Sequence, residues 1–248
     1  MRVAFITTAM LSCVAGGAVG CGKDGFDSSV LRDTPWSEKT PGADEQVGMM
    51  YSGKTADERR EGIGLVAGHQ WGLKEPYLRK YAEMLKGDLD ASVRGAAALA
   101  LGRSGQAKYL PDVVSAISDS SDQVRWDAAA ALDGLVGPAA VDPLRKHAVE
   151  DSSAEVRACC AKALRHYRDK RVEQTLIECL MDESFAVCFQ AHASLVELRG
   201  CDLGYEPGAW LSAAAGKPAT LPPEQRSRPW WDWLGVTQKG ARQGETEE

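Results

Sequence analysis

The clearest pattern in the chain is an apolar stripe of helical period that occurs four times. Each copy begins at a valine, and consecutive valines lie 31, 32 and 31 residues apart: Val93, Val124, Val156 and Val187. Small residues follow four and seven positions later, and a leucine follows eight positions later: Leu101, Leu132, Leu164 and Leu195. Positions 0, 4, 7 and 8 share one face of an α-helix, so each copy predicts an amphipathic helix.

Polar residues mark where these helices begin. An aspartate lies five residues before each valine, and a residue suited to an N-cap lies three before it: Asp90, Ser121, Ser153 and Ser184. A second amphipathic segment precedes each capped helix, at residues 76–86, 110–118, 139–150 and 171–181. Each unit is therefore predicted to be a helix pair of about 31 residues, and such pairs bury their apolar faces only by stacking. An earlier, degenerate unit is predicted to start near Thr55.

The order of Asp, Val-Arg, Ala-Ala and Leu closely resembles the short HEAT-like repeats named after phycobilisome lyases. The resemblance covers residues 55–199 and implies an all-α fold, an α-solenoid (α-α superhelix) of about five HEAT-like helix pairs. We expect the solenoid at 55–204, a capping helix at 205–216, and a mostly disordered Pro- and Trp-containing tail at 217–248. The same repeat serves chromophore lyases, assembly factors and scaffolds, so it implies no single function.

The first residues are typical of an export signal. Residues 1–20 carry one charge, on Arg2, and are rich in Ala, Val, Ile and Gly, which favours a signal peptide over a spanning helix. The sequence Ala18-Val19-Gly20-Cys21 resembles a bacterial lipobox, so we predict lipidation at Cys21. The alternative is a simple signal peptide with an incidental cysteine. By the same resemblance, Gly22 favours the outer membrane in a cell that has one, with the protein on the periplasmic or extracellular face.

Two segments lie outside the repeats. Residues 21–54 are polar and rich in Gly and Pro, with no sustained apolar period, so we predict a disordered tether. In the tail, Trp230, Trp231 and Trp233 form a dense aromatic cluster. Two interpretations of this cluster stay open, a final cap on the solenoid or an exposed segment that docks on a partner or membrane.

The composition narrows the range of partners. The formal charge is -6, with 44% hydrophobic and 26% charged residues. No basic run is present, and an acidic chain lacks the positive surface that neutralises nucleic-acid phosphates. Nucleic acid is therefore not expected as a partner. We expect a protein partner, whose identity the sequence does not specify.

Five of the seven cysteines remain if Cys13 leaves with the signal peptide and Cys21 is acylated: Cys159, Cys160, Cys179, Cys188 and Cys201. Cys160 occupies a small core position of its repeat, so we expect a buried hydrophobic residue there. A disulfide among Cys179, Cys188 and Cys201 is predicted, without a fixed connectivity.

No catalytic motif is apparent. The sequence has no P-loop, no nucleophile elbow, no HExxH helix, and no His-Glu pairs of the kind that hold iron in deoxyhypusine hydroxylases. Cys188 and His192 have helical spacing for a metal site with Cys201 or His166, but no CxxC pair supports one. We expect no metal, no cofactor and no catalytic residue. The alternative to a non-catalytic scaffold or adaptor is a lyase-like or chaperone activity on a cofactor-bearing protein, using these Cys and His positions.

The outward positions of the second helices are the candidate binding surface. In HEAT arrays, which the chain resembles, these helices line a concave face, and positions two, three and six after the valine point away from the core stripe. The predicted protein-binding residues are Trp126, Asp127, Lys162, Phe189 and Gln190. The alternative is that the two aromatic rings pack between adjacent repeats. We expect the arginines that follow the valines to pair with the repeated aspartates as a structural ladder: Arg94, Arg125 and Arg157.

Overall fold

The computed structural model describes residues 41–217, and within this range the regular structure is entirely helical. The α-helices are α1 Ala43–Ser52, α2 Ala56–Ala67, α3 Tyr77–Gly87, α4 Ala91–Ser104, α5 Leu110–Ala116, α6 Asp122–Gly134, α7 Val141–Glu150, α8 Ala154–Ala163, α9 Lys170–Cys179, α10 Phe185–Arg199 and α11 Pro207–Ala214. Short 3-10 turns lie at Ala107–Tyr109, Pro138–Ala140 and Leu164–His166. None of the helices in the described range is long and apolar enough to cross a membrane.

The helices form pairs that stack in chain order. The second helices, α2, α4, α6, α8 and α10, pack on one another in succession, and each also packs on the first helix of its own pair. Helix α11 follows the last pair and packs against α9. This arrangement confirms the predicted all-α solenoid of about five helix pairs, and α11 lies within the segment expected to form a capping helix.

The repeated apolar stripe forms the core between the two layers. The four valines and the four leucines of the stripe are all completely buried. The second helices also approach one another closely, since a Cβ placed on Gly102 in α4 would lie only 2.6 Å from the Cα of Ala131 in α6. The second helices pack more closely on one another than the first helices do, as expected for the inner layer of a repeat solenoid, and we call them the inner layer.

The repeated aspartates form the turns inside the helix pairs. In four successive turns the aspartate Oδ1 accepts a hydrogen bond from the backbone N–H two residues later, at 2.8–3.0 Å: Asp88, Asp119, Asp151 and Asp182. The predicted N-caps act less uniformly, because Asp90 and Ser153 accept backbone bonds while Ser121 and Ser184 make no side-chain cap bond. The aspartates therefore explain the recurring turn better than the N-caps do.

The first helix pair differs from its prediction. Helix α1 lies inside residues 21–54, so the prediction of disorder is wrong for Ala43–Ser52, and the degenerate unit starts earlier than Thr55. Thr55 instead begins α2, where it forms a capping box with Glu58. Helix α1 is held by close packing on α2. Met50 of α1 is fully buried, and a Cβ placed on Gly62 of α2 would lie only 2.3 Å from the backbone nitrogen of Met50.

Candidate protein-binding face

Arginine–aspartate pairs join consecutive repeats and confirm the expected ladder. In each ion pair, Nε and Nη2 of an arginine in a second helix donate to both carboxylate oxygens of an aspartate in the turn of the following repeat, at 2.7–2.9 Å. The four ion pairs are Arg59–Asp88, Arg94–Asp119, Arg125–Asp151 and Arg157–Asp182. Nη1 of each arginine also donates to the backbone carbonyl six residues earlier, at 2.8–3.3 Å. These arginines are therefore part of the scaffold and not of its binding surface.

The ladder ends at the last pair, where Cys188 occupies the arginine position. Its thiol donates to the carbonyl oxygen of Asp182 at 3.2 Å, which is the kind of backbone contact that Nη1 makes in the earlier repeats. A second contact joins the thiol to the carbonyl oxygen of Leu180 at 3.4 Å. No further repeat turn follows within the described residues to supply an aspartate. The cysteine thus marks the end of the array.

The predicted disulfide among Cys179, Cys188 and Cys201 is wrong for this structure, in which all three are free thiols. Their surroundings differ, since Cys179 is buried against the carbonyl oxygen of Ala148 whereas Cys201 is exposed. Burial raises the pKa of Cys179 to about 12 and that of Cys188 above its usual value. The two buried thiols therefore stay protonated near neutral pH.

The other cysteines lie on or under the inner layer. Cys160 is completely buried, as its core position predicted. Cys159 is half-buried, and its thiol lies 3.8 Å from the carbonyl oxygen of Trp126. Burial, only partly opposed by the charge of Lys162, raises the pKa of Cys159 to about 11.

His192 serves the C-terminal cap. Its Nε2 lies 2.8 Å from Oδ1 of Asp202, its ring stacks on Tyr205 at 4.3 Å, and Trp210 meets it edge-on at 6.2 Å. His192 and Cys188 therefore bind separate partners. Within residues 41–217, no group of three His, Cys, Asp or Glu side chains is placed to hold a metal ion.

Two of the predicted binding residues are exposed aromatics of the inner layer. The side chain of Trp126 on α6 is 40% exposed and that of Phe189 on α10 is 47% exposed, so neither ring is enclosed between repeats. Lys162 is 45% exposed and lies 3.5 Å from Asp133, which Arg165 and His166 also contact. These side chains are accessible to a partner.

Asp127 is not a surface residue, and its prediction as a binding residue is wrong. It is 5% exposed and lies against α4, where a Cβ on Gly95 would come within 2.0 Å of Oδ2. Nε2 of Gln123 donates to its Oδ2 at 3.1 Å, and burial raises the pKa of Asp127 above its usual value. The close approach of α4 and α6 therefore encloses it. Gln190, at the equivalent position of α10, is half-buried.

We expect Asp127→Asn to raise the free energy of unfolding by about 1 kcal/mol at pH 7, because asparagine has no charge to bury and still accepts from Gln123. Because the pKa of Asp127 is raised in the folded state, the wild-type protein loses stability as pH rises above the unfolded pKa of 3.8. The stability advantage of the Asn variant should therefore vanish near pH 3, where Asp127 is protonated in both states. Urea unfolding at both pH values measures it. Asp57→Asn, at an 87% exposed carboxylate, is the matched control. A less stable Asp127 variant at pH 7 would contradict this account.

An acidic depression surrounds Trp126. It has a volume of about 420 Å³ and lies where α6 and α8 begin; its lining residues are Asp122, Gln123, Trp126, Ser153 and Glu155. Asp122 and Glu155 are both exposed. The indole therefore lies in a negatively charged surrounding, which suits a basic side chain of a partner.

A second aromatic surface lies at the C-terminal end of the same layer. We call Phe185, Phe189 and Tyr205 the end patch. The ring centroid of Phe185 is 6.2 Å from that of Phe189 and 6.4 Å from that of Tyr205. Phe185 and Tyr205 were missed in the sequence because they precede and follow α10's apolar stripe. Cys21 and the Trp230–Trp233 cluster lie outside the described residues.

The sequence profile of HEAT repeats matches residues 78–165, which cover α3 through α8. The match identifies HEAT repeats in this part of the solenoid. Among curated proteins, none matches the chain in sequence.

Solved structures have a similar fold. The complex of CpcE and CpcF of phycocyanin lyase from Nostoc sp. PCC7120 has a TM-score of 0.58 and 18% identity, over 68% of this chain and 70% of that chain. The YibA protein of Escherichia coli has a TM-score of 0.52 and 20% identity. The match covers 62% of this chain and 58% of the YibA chain. An engineered protein has a TM-score of 0.51 and 17% identity, over 71% of this chain and 86% of that chain. At these identities the likeness concerns the fold alone.

Proposed function

We propose that this protein is a non-catalytic scaffold or adaptor that binds a protein partner through its inner helix layer. In this proposal a lipid on Cys21 anchors it at the bacterial cell envelope. The observation that carries the proposal is the exposure of Trp126 and Phe189 on a layer whose other aromatic and aliphatic residues are mostly buried. Exposed Trp and Phe side chains on a rigid surface are the usual anchors of protein interfaces.

The charge of the inner layer supports a partner with basic residues. Among the residues that the structure describes, the depression around Trp126 is lined by two carboxylates and by no basic side chain. A lysine or arginine of the partner would gain both a cation–π contact with the indole and an ion pair. The fold is compatible with such a role, since the similar phycocyanin lyase structure is a complex of two chains.

The competing hypothesis is a lyase-like activity that uses the cysteines and histidines of the last repeats. The raised pKa values of Cys179 and Cys188 disfavour it, because the thiolate is the reactive form. Cys188 and His192 also have separate structural partners. The geometry therefore supports the scaffold better than thiol chemistry.

A cross-linking pull-down from native membranes tests the proposal. We expect the double variant Trp126→Ala and Phe189→Ala to lower recovery of the partner by about tenfold or more, as for the loss of interface anchors. Leu89→Ala is the matched control because this apolar side chain is 99% exposed in a turn outside the inner layer, and its recovery should stay within about twofold of the wild type. Unchanged capture by the double variant would refute the inner layer as the binding surface.

The anchor is tested in the same preparation with Cys21→Ser. Without the thioether-linked lipid, the protein should move from the membrane fraction to the soluble fraction, because in this proposal the acyl chains supply the affinity for the membrane. A Cys21→Ser protein that still sediments with membranes would count against lipid anchoring and leave the binding surface untouched.

A further inference from the structure

The depression around Trp126 presents an aromatic ring that the neighbouring repeats leave accessible. The Trp126 side chain is 40% exposed on α6. The equivalent positions on the flanking second helices, α4 and α8, hold Gly95 and Ala158. At this position the neighbouring repeats therefore offer only a hydrogen atom and a methyl group. A ring in such surroundings can stack on a flat group of a partner.

Two carboxylates give the depression its charge. Oδ1 of Asp122 accepts from the backbone N–H of Gln123 at 2.8 Å, and Oε2 of Glu155 accepts from the Ser153 hydroxyl at 2.8 Å. The backbone N–H of Glu155 itself and the Ser153 hydroxyl lower the pKa of Glu155, so it is charged near neutral pH. A carboxylate accepts up to about four hydrogen bonds, so both groups retain capacity for a ligand.

Gln123 contributes an oriented amide to the same depression. Its Nε2 donates to Oδ2 of Asp127 at 3.1 Å, and Asp127 is only 5% exposed. A carboxylate at this contact requires a donor, so the amide nitrogen is fixed toward Asp127. The carbonyl oxygen Oε1, on the other side of the same amide, is left for the depression that Gln123 lines. Asp127 is thus a positioning residue for this acceptor.

The polar lining therefore offers mainly acceptors. The hydroxyl hydrogen of Ser153 is used on Glu155, which leaves two carboxylates and the Gln123 oxygen around an open indole. A matching ligand has a positive charge, several N–H donors and a flat face. A guanidinium has five N–H donors in one plane and stacks on aromatic rings, whereas an ammonium is compact, strongly hydrated and has no flat face.

We propose that this depression binds the guanidinium group of an arginine of the partner in preference to the ammonium group of a lysine. The guanidinium stacks on Trp126 and donates to Glu155 and Gln123. Gln123 distinguishes the two cations, because only a guanidinium can bond the amide oxygen and a carboxylate while its flat face stays on the indole. This inference rests on the proposed function, which supplies the protein partner, and it specifies the residue that the partner presents.

Nuclear magnetic resonance of the full chain tests the preference, with the indole N–H signal of Trp126 as the reporter. The signal is assigned by its absence in Trp126→Phe. Two end-blocked glycine peptides are titrated separately, one with a single central arginine and one with a single central lysine. We expect the arginine peptide to bind at least about threefold more tightly. Equal affinities, tighter binding of lysine, or no shift with either peptide would each overturn the proposal.

Variants of the lining assign the preference to named groups. Gln123→Met keeps the length of the side chain but has no amide oxygen, so the arginine peptide should lose its advantage while the affinity for lysine changes by less than about twofold. Because this variant also deprives Asp127 of a donor, circular dichroism confirms that it is folded. An arginine preference that survived in folded Gln123→Met would overturn the assignment of selectivity to this amide.

A second variant needs no change at a buried contact. Glu155→Gln removes an exposed charge that both cations use, and it should weaken the binding of both peptides by about threefold. Asp57→Asn removes an 87% exposed carboxylate from α2 and should change neither affinity, which makes it the matched control. Equal effects of these two variants would mean that the peptides respond to overall charge and not to this depression.

The pull-down from native membranes separates this site from the wider binding surface. Partner recovery that falls in Trp126→Ala with Phe189→Ala, together with equal affinities of the two peptides, would retain the scaffold and reject the arginine preference. Unchanged recovery in that double variant, together with selective binding of the arginine peptide, would reject the inner layer as the partner's surface and retain the arginine site.

Discussion

Arg125→Ala is expected to lower the free energy of unfolding by about 3 kcal/mol. The guanidinium donates from Nε and Nη2 to Asp151 at 2.8 and 2.9 Å and from Nη1 to the carbonyl oxygen of Asp119 at 3.1 Å. The Asp151 side chain is 2% exposed. Alanine would leave this carboxylate buried with only His147 and the backbone N–H of Ser153 as partners, and an uncompensated buried charge is strongly destabilising.

Urea unfolding at pH 7 measures the loss, and Arg171→Ala is the matched control. Arg171 pairs with Asp142 and Asp169, but its side chain is 55% exposed. Solvent screening should limit the cost of its removal to about 0.5 kcal/mol. An equally small loss in both variants would mean that the ladder does not contribute to stability through burial.

The pH dependence gives a second readout of the same variant. Burial alone would raise the pKa of Asp151, but the bonds from Arg125, Ser153 and His147 outweigh it and lower the pKa to about 2. A depressed folded pKa stabilises the protein above the unfolded value of 3.8, and this stabilisation is lost as pH falls toward 2. The gap between wild type and Arg125→Ala should therefore narrow below about pH 4. A gap that stays constant over that range would contradict the role of the Asp151 charge.

The ladder shows which features the sequence determines. The spacing of aspartate, valine, arginine and leucine is local, and each repeat copies the surroundings of the one before it. The partner of Arg94 could therefore be inferred from that of Arg125. Cys188 follows from the same logic, because an arginine without a following aspartate would leave a buried charge unpaired. The sequence already shows a cysteine in place of the repeated arginine at this position, although we predicted a disulfide for it.

The positions that sequence reasoning placed wrongly depend on the distance between neighbouring helices. Ala96, Asp127, Cys159 and Gln190 are equivalent in the repeat, yet only Asp127 is buried. Its burial results from Gly95 on the adjacent helix, which brings the two backbones together. The period of one helix specifies the direction of a side chain but not the closeness of the next helix. Helix α1 was missed for the same reason, since its contact with Gly62 and not its own periodicity holds it.

Trp210→Ala is the other substitution with a large expected effect, and it should lower the free energy of unfolding by about 3–5 kcal/mol. The Trp210 side chain is completely buried and is the largest enclosed residue of α11. It contacts His192 edge-on and bonds to Gly204. Without this ring, the eight-residue helix α11 loses its one fully buried side chain. An isolated helix of that length has too little stability to remain in place.

The loss should be largest at the end of the solenoid, because each repeat depends on its immediate neighbours. Hydrogen exchange of the full chain should therefore show loss of protection in α9 and α10, with α4 little changed. Trp126→Ala removes the same ring from a 40% exposed site and should cost about 1 kcal/mol or less. If α9 and α10 kept their protection in Trp210→Ala, α11 would not stabilise the last repeat. Loss of protection confined to this end would instead identify the last repeat as the one whose stability depends on its cap.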